Sequence, residues 1–253
     1  MLGAGGYVAG PVGLAATTQG IPLVLAEADS HLGLTNRLLA GRARRVCLAF
    51  PIDGREPPRY RVTGRPVPPT VTDRPHARAR LGIGPDETCV LVFGGSLGAR
   101  SINQAAPAAF KDAPYRVVHV AGTRDFPTLR APGPHYVLLE YLTPFGIALA
   151  AADAAVARAG GSVFELAQYG LPAVLIPYPY ASANHQEANA RWMAEHGAAI
   201  VLPDAELTPE RLRRDTDAVL ERRETMADAA RKLARPNAAR DIAEELLAAA
   251  RPA

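Results

Sequence analysis

Short, unbroken apolar runs recur along this 253-residue chain, and most are followed by a stretch in which apolar residues return every three or four positions. The runs fall at 22–26, 45–49, 88–93, 116–120, 136–139, 154–157, 172–176 and 198–202. Runs of this length with no alternating polar face predict strands covered on both sides, as in a parallel sheet. Helical spacing predicts helices at about 10–19, 33–43, 99–110, 144–152, 162–169, 184–196, 208–223, 223–234 and 238–250. Strand–helix alternation of this kind predicts a doubly wound α/β architecture.

The rhythm breaks at 51–75, where Pro51, Pro57, Pro58, Pro66, Pro68, Pro69 and Pro75 crowd among arginines. This stretch reads as an interdomain connection, so the expected organisation is a partial N-terminal domain and linker at 1–70, a nucleotide-binding domain at 71–236, and a final helix at 237–253 that packs back on the N-terminal domain. The second sheet starts at Thr88. Residues 1–50 supply only two whole strands, and the chain opens on a glycine loop of the kind that normally follows a strand. A two-strand parallel piece leaves apolar surface uncovered. The expectation is that a preceding segment or a partner chain completes it.

Composition narrows the classes. Hydrophobic residues make up 48% of the chain, enough to fill a core, and charged residues 21%. The formal net charge is +3, and no aromatic-interleaved basic surface of a nucleic-acid binder is present. Arg37, Arg42, Arg44 and Arg45 form one basic cluster and Arg211, Arg213, Arg214, Arg222 and Arg223 another. Either a basic face for anionic lipid or a solvated helix face accounts for them. No run approaches the ~20 apolar residues that span a bilayer. Cys47 and Cys89 each sit in a strand-like run and read as buried thiols. No metal-ligand spacing and no Ser/His/Asp order appears, so neither a metal nor a cofactor is expected.

The candidate chemistry lies in small-residue loops that open helices. Gly3-Ala4-Gly5-Gly6-Tyr7-Val8-Ala9-Gly10-Pro11 precedes the first helix. Gly94-Gly95-Ser96-Leu97-Gly98-Ala99 follows the strand at 88–93, at the end where ligands bind in open α/β sheets. Arg158-Ala159-Gly160-Gly161-Ser162-Val163-Phe164-Glu165 opens another helix, and Asn184-His185-Gln186-Glu187-Ala188-Asn189 a fourth. Helix N-termini offer free N–H groups and a positive dipole end to a diphosphate. Glu165 can bridge ribose hydroxyls, and Gln186 and Asn189, three apart, share a helix face from which to read sugar hydroxyls. An ordinary surface helix glutamate is the alternative for Glu165, local capping and pairing the alternative for Gln186 and Asn189, and a tight βα turn the alternative for the loop after the strand at 88–93. His185 and His31 each offer a general base, although a lone exposed histidine usually is not one, and His119, inside a strand, reads as structural.

Taken in order, these loops resemble the MurG-type family of bacterial N-acetylglucosaminyltransferases, which convert lipid I to lipid II. The matching stretches are 5–11, 20–24, 33–40, 49–51, 62–67, 94–100 with Asn103, 158–160, 165–167, 170–173 and 185–190. The resemblance implies a GT-B glycosyltransferase of two Rossmann-like domains. It implies UDP-N-acetylglucosamine as donor, with Ser96 on the diphosphate, the backbone around Leu142 on uracil, Gly160, Gly161, Ser162 and Val163 on the nucleotide, Glu165 on ribose, and Gln186 and Asn189 on the sugar. Asp29 sits where the family has an asparagine near the donor. The loop of Gly5, Gly6, Tyr7 and Gly10 belongs to the acceptor side, which binds the undecaprenyl-linked acceptor at the cytoplasmic face of the membrane as a peripheral protein.

Three departures stand out. The family's first strand and the glycine loop carrying its proposed base histidine have no counterpart here. The family's Gly-Asn-Pro-Val-Arg stretch reads Gly64-Arg65-Pro66-Val67-Pro68, so Pro68 replaces a donor-contacting arginine and Arg65 is the candidate substitute. The 158–165 loop is one residue shorter than the common family form. The implied reaction is inverting attack of the muramyl 4-hydroxyl on the anomeric carbon, and this polypeptide alone is expected to bind the donor weakly and to transfer slowly or not at all. The alternatives are a UDP-sugar-binding module or split subunit, and a transferase acting on another lipid acceptor such as diacylglycerol.

Overall fold

The computed structural model describes residues 1–181 and 184–251; Ser182 and Ala183, within the 158–189 stretch, and the last two residues lie outside it. In chain order the elements begin β1 (Leu2–Gly3), α1 (Gly6–Thr18), β2 (Val24–Glu27), α2 (Leu34–Leu39), β3 (Arg45–Leu48) and β4 (Tyr60–Val62). They continue with α3 (Arg74–Arg80), β5 (Cys89–Phe93), α4 (Arg100–Ala109), β6 (Arg116–Val120), β7 (Tyr136–Leu139), α5 (Gly146–Ala151), β8 (Ala154–Ala157) and α6 (Ser162–Tyr169). The last are β9 (Ala173–Leu175), α7 (His185–Glu195), β10 (Ala199–Val201), α8 (Pro209–Glu221), α9 (Arg223–Leu233) and α10 (Ala238–Ala250). Two compact units result, residues 1–67 with 235–253, and residues 68–234.

The first unit is built on a four-stranded sheet in the order β1-β2-β3-β4, parallel at every pairing. Its strands alternate in the two-residue period that side chains of a strand must follow. Leu23, Leu25, Val46 and Leu48 pack with Leu39, Ala40 and Ala43 on one face. Val24 and Cys47 meet Ile242, Leu246 and Ala249 of α10 on the other. Glu245 of α10 pairs with Arg45 of β3 and with Arg61 of β4. Arg44 donates to the Ala249 carbonyl at 2.8 Å.

The two-strand expectation for this unit is therefore corrected. β4 lies inside the proline-crowded stretch read as a connection, pairing Val46 with Tyr60 and Leu48 with Val62. Its three residues sit at a sheet edge, the place where neighbouring prolines cost no ladder bonds. α3 begins at the end of that stretch. Asp73 caps it by accepting from the His76 N–H at 2.9 Å, and Pro75 occupies the first turn, where a missing N–H is no loss. The basic clusters are likewise less free than the sequence suggests. Arg44 and Arg45 are committed to α10, while Arg211, Arg213 and Arg214 pair with Glu206, Asp217 and Asp215.

The second unit holds a six-stranded parallel sheet in the order β10-β9-β8-β5-β6-β7. Counted from its own first strand, the order is 3-2-1-4-5-6 read from the far edge, the arrangement of dinucleotide-binding sheets. Phe110, Ile102, Val92, Val117, Val156 and Leu212 belong to the main core, which α4 and α8 close over one face. The chain leaves β5 toward β6 on one side and later enters β8 on the other. That reversal opens a crevice at the carboxyl ends of β5 and β8, where ligands bind in this class of sheet.

Candidate functional site

The loop after β5 and the loop after β8 flank this crevice. Gly95 and Gly98 adopt φ of 95° and 78°, a left-handed region that side chains with a Cβ resist. The Gly98 N–H donates back to the Gly95 carbonyl at 2.9 Å, which curls the loop and leaves Ser96 exposed at its tip. Gly98 has a second reason to be glycine, since a Cβ there would collide with the Ala121 carbonyl. α4 then starts with no side-chain cap, so its first N–H groups are available to an anion.

Across the crevice, α6 opens from Gly161, also without a side-chain cap. The Val163 and Phe164 N–H groups close back on Gly160 and Gly161 at 3.3 and 3.2 Å. The amides left by helix geometry are those of Gly161 and Ser162. Val163 itself is fully buried, so it can offer a ligand its backbone alone. Ser162 Oγ donates to the Arg158 carbonyl at 3.1 Å. Glu165 stands half-buried in the first turn. Leu142 is half-buried in the loop after β7, which Phe145 anchors to Phe93 of β5 by an edge-on ring contact at 5.0 Å.

The start of α7 joins the same cluster. Asn184 takes a left-handed φ of 55° and turns the chain into the helix. Gln186 Oε1 accepts from the Tyr178 N–H at 2.9 Å, and a Cβ on Gly160 would lie 3.9 Å from Gln186 Nε2. That amide group thus sits over the α6 loop. Asn189 does something the sequence did not disclose. It is 1% exposed, its Nδ2 donates to the Ala159 carbonyl at 3.0 Å, and its Oδ1 has no partner. It holds the α6 loop from beneath rather than standing on an open helix face.

Arg158 was quoted only as part of a motif, yet it knits the crevice together. One guanidinium nitrogen donates to the carbonyls of Ile176 and Pro177 and to Asp204 Oδ1 at 2.5 Å, the other to Ser101 Oγ at 2.8 Å. Its plane also lies over the Tyr178 ring, 5.4 Å from the centroid. The ends of β8 and β9 and the start of α4 are thereby tied to one side chain. The only signal for this in the sequence is a charged residue closing an otherwise apolar strand.

The remaining predicted residues belong to the first unit. Gly5 and Gly6 have φ of 78° and 77° and open α1, whose Tyr7 is 95% exposed. Gly10 packs against α2, where a Cβ would lie 3.6 Å from Thr35. Asp29 is half-buried after β2, and its N–H donates to Glu27 Oε1 at 3.2 Å. Glu27, which sequence reasoning passed over, is a buried carboxylate that also accepts from the Ala28 and Gly33 N–H groups and from Asn36 Nδ2. Arg65 is half-buried beyond β4, and Pro68, the first residue of the second unit, is exposed. Among the described residues no cluster of metal ligands occurs and no helix is long and apolar enough to cross a membrane.

Comparison with known proteins agrees with this geometry. The family model of the glycosyltransferase family 28 C-terminal domain matches residues 89–246, and that of the N-terminal domain matches 1–48. The UDP-N-acetylglucosamine–N-acetylmuramyl-(pentapeptide) pyrophosphoryl-undecaprenol N-acetylglucosamine transferase of Rubrobacter xylanophilus is 42% identical over 99% of this chain and 77% of its own length. Its namesake from Moorella thermoacetica is 42% identical over 98% of this chain and 73% of its own. Among solved structures, Acinetobacter baumannii MurG matches with a TM-score of 0.82 and 32% identity, covering 98% of this chain and 74% of that one. A UDP-GlcNAc 2-epimerase from Neisseria meningitidis shares the fold alone, at a TM-score of 0.65 and 15% identity over 98% of this chain and 75% of its own. The chain belongs to glycosyltransferase family 28, among the MurG-type N-acetylglucosamine transferases of GT-B fold.

Proposed function

We propose that this protein transfers N-acetylglucosamine from UDP-N-acetylglucosamine to the muramyl 4-hydroxyl of lipid I, giving lipid II with inversion at the anomeric carbon. What carries the reading is the convergence of three loops, after β5, β8 and β9, at the switch point of a sheet whose relatives, at 42% identity, are named for this transfer. In the proposed donor complex, the α4 and α6 N-termini meet the diphosphate with Ser96 beside it. Glu165 bridges the ribose hydroxyls, the backbone at Leu142 reads uracil, and Gln186 reads the sugar. The leaving UDP carries its charge into two helix N-termini whose dipoles are already oriented, so little reorganisation accompanies bond breaking.

The acceptor reading rests on the first unit. Its Gly5–Gly6 loop opens α1 in the manner of an anion site. Beside it Tyr7, Val8, Val12, Leu34 and Leu38 are exposed on α1 and α2, an apolar surface suited to a peripheral protein drawing a lipid-linked substrate from the cytoplasmic leaflet.

The test is product formation from UDP-N-acetylglucosamine with lipid I, run beside diacylglycerol and beside no acceptor. Lipid II formation supports the proposal. Transfer to diacylglycerol alone replaces its acceptor. UDP binding with transfer to neither favours a UDP-sugar-binding module.

A further inference from the structure

A buried polar chain runs beneath the glycine loop after β5. Tyr136 OH lies 2.7 Å from His119 Nδ1, His119 Nε2 lies 2.9 Å from Asn103 Oδ1, and Asn103 Nδ2 reaches the Ala121 carbonyl at 2.8 Å and Asp125 Oδ2 at 3.0 Å. His119 and Asn103 are fully buried, and Tyr136 nearly so. The partners fix every direction in the chain. Ala121 O and Asp125 Oδ2 only accept, so Asn103 presents its NH2 to them and its oxygen to His119. His119 then carries its proton on Nε2, and its Nδ1 accepts from Tyr136. Burial pushes the His119 pKa down to about 4 and raises that of the Tyr136 phenol, so neither group changes its protonation near neutrality.

The far end of this chain is the wall against which the glycine loop is folded. A Cβ at Gly98 would collide with the Ala121 carbonyl and come within 2.9 Å of Asn103 Nδ2, and a Cβ at Gly122 would collide with the Gly98 amide. Asn103 itself sits in the first turn of α4, where its N–H donates to the Ala99 carbonyl at 2.8 Å. One asparagine therefore fixes both the helix start and the carbonyl beneath the loop. If His119 adopted the other tautomer, Asn103 would have to turn its amide over. Its oxygen would then face the Ala121 carbonyl and the Asp125 carboxylate, oxygen against oxygen.

We propose that Tyr136 and His119 are positioning residues: through Asn103 they hold the Gly94–Ala99 loop in the shape that receives the donor diphosphate. The inference rests on the donor reading above. It predicts a selective loss. Breaking the chain loosens the diphosphate loop and leaves the uridine contacts, on the other loops, in place.

The experiment compares UDP with uridine by calorimetric and NMR-detected titration of the full chain. Tyr136→Phe and His119→Leu are expected to weaken UDP roughly tenfold or more, the scale set by one unsatisfied buried hydrogen-bonding group, with uridine unchanged. His119→Gln, whose amide can both accept from Tyr136 and donate to Asn103, is expected to retain UDP affinity within about threefold of the wild type. Tyr136→Phe keeps the ring and so carries the test alone should His119→Leu not fold. Variants that bind UDP like the wild type, or that lose UDP and uridine in equal measure, overturn the positioning role and leave the donor reading standing. A wild-type protein that binds no UDP overturns both.

Discussion

At the scale of single residues, Arg158 shows how far a side chain's work can lie from its neighbours in sequence. Ser101 and Asp204, which it joins, are 57 and 46 positions away. Lysine cannot reproduce the fork that serves both at once. Arg158→Lys is therefore expected to cost about 1.5–3 kcal/mol in chemical denaturation, the range for hydrogen bonds to a charged group, and to weaken donor binding. A stability within about 0.5 kcal/mol of wild type would show the contacts to be incidental. Glu165→Ala tests the proposed ribose contact: UDP-N-acetylglucosamine affinity should fall roughly tenfold or more, while 2′,3′-dideoxy-UDP binds both proteins alike. Residues such as Ser96, Glu165 and Gln186 were legible as candidates because they are polar groups after a strand or at a helix start, where free N–H groups gather. Asn189 was legible as part of a motif but not as a buried strut, because three-residue spacing gives a helix face and says nothing about what covers it.

At the scale of elements, the periodicity located the apolar strands and most helices to within a few residues. It failed where context overrides composition. β4 has three residues among prolines, and its value comes from Arg61 reaching Glu245 of a helix 184 positions later. That pairing also makes α10 sensitive to acid. Burial alone would raise the Glu245 pKa, but hydrogen bonds and charge from Arg61 and Arg45 outweigh it and hold the carboxyl below its ordinary value. The folded pKa is thus depressed. The contribution to stability is present above the unfolded-state value of about 4.3 and is lost as pH falls through the folded value. Glu245→Gln should lower the stability of the first unit at neutral pH and flatten its acid limb. An acid titration monitored by hydrogen exchange in β2, β3 and α10 reads this directly, and an unchanged acid limb would remove Glu245 from the account.

At the scale of the whole molecule, the strand order was not readable from the pattern, because a row of apolar runs fixes neither which strands are neighbours nor where the order reverses. That reversal is what turns separate glycine loops into one site, and it supplies a further prediction. A ligand that binds only the folded protein stabilises it by an amount set by its concentration relative to Kd, about 2.7 kcal/mol at a hundredfold excess. Since the nucleotide contacts of the proposed donor complex, at Ser96, Leu142, the α6 loop and Glu165, come from the loops of residues 68–234, UDP should slow hydrogen exchange first in the loops at 94–99 and 158–165 and in the α4 and α6 helices they open. Exchange in α1 and α10, which belong to the other unit, should change least. Protection that instead appears first in residues 1–67 would move the nucleotide to the other sheet, and with it the assignment of donor and acceptor sides.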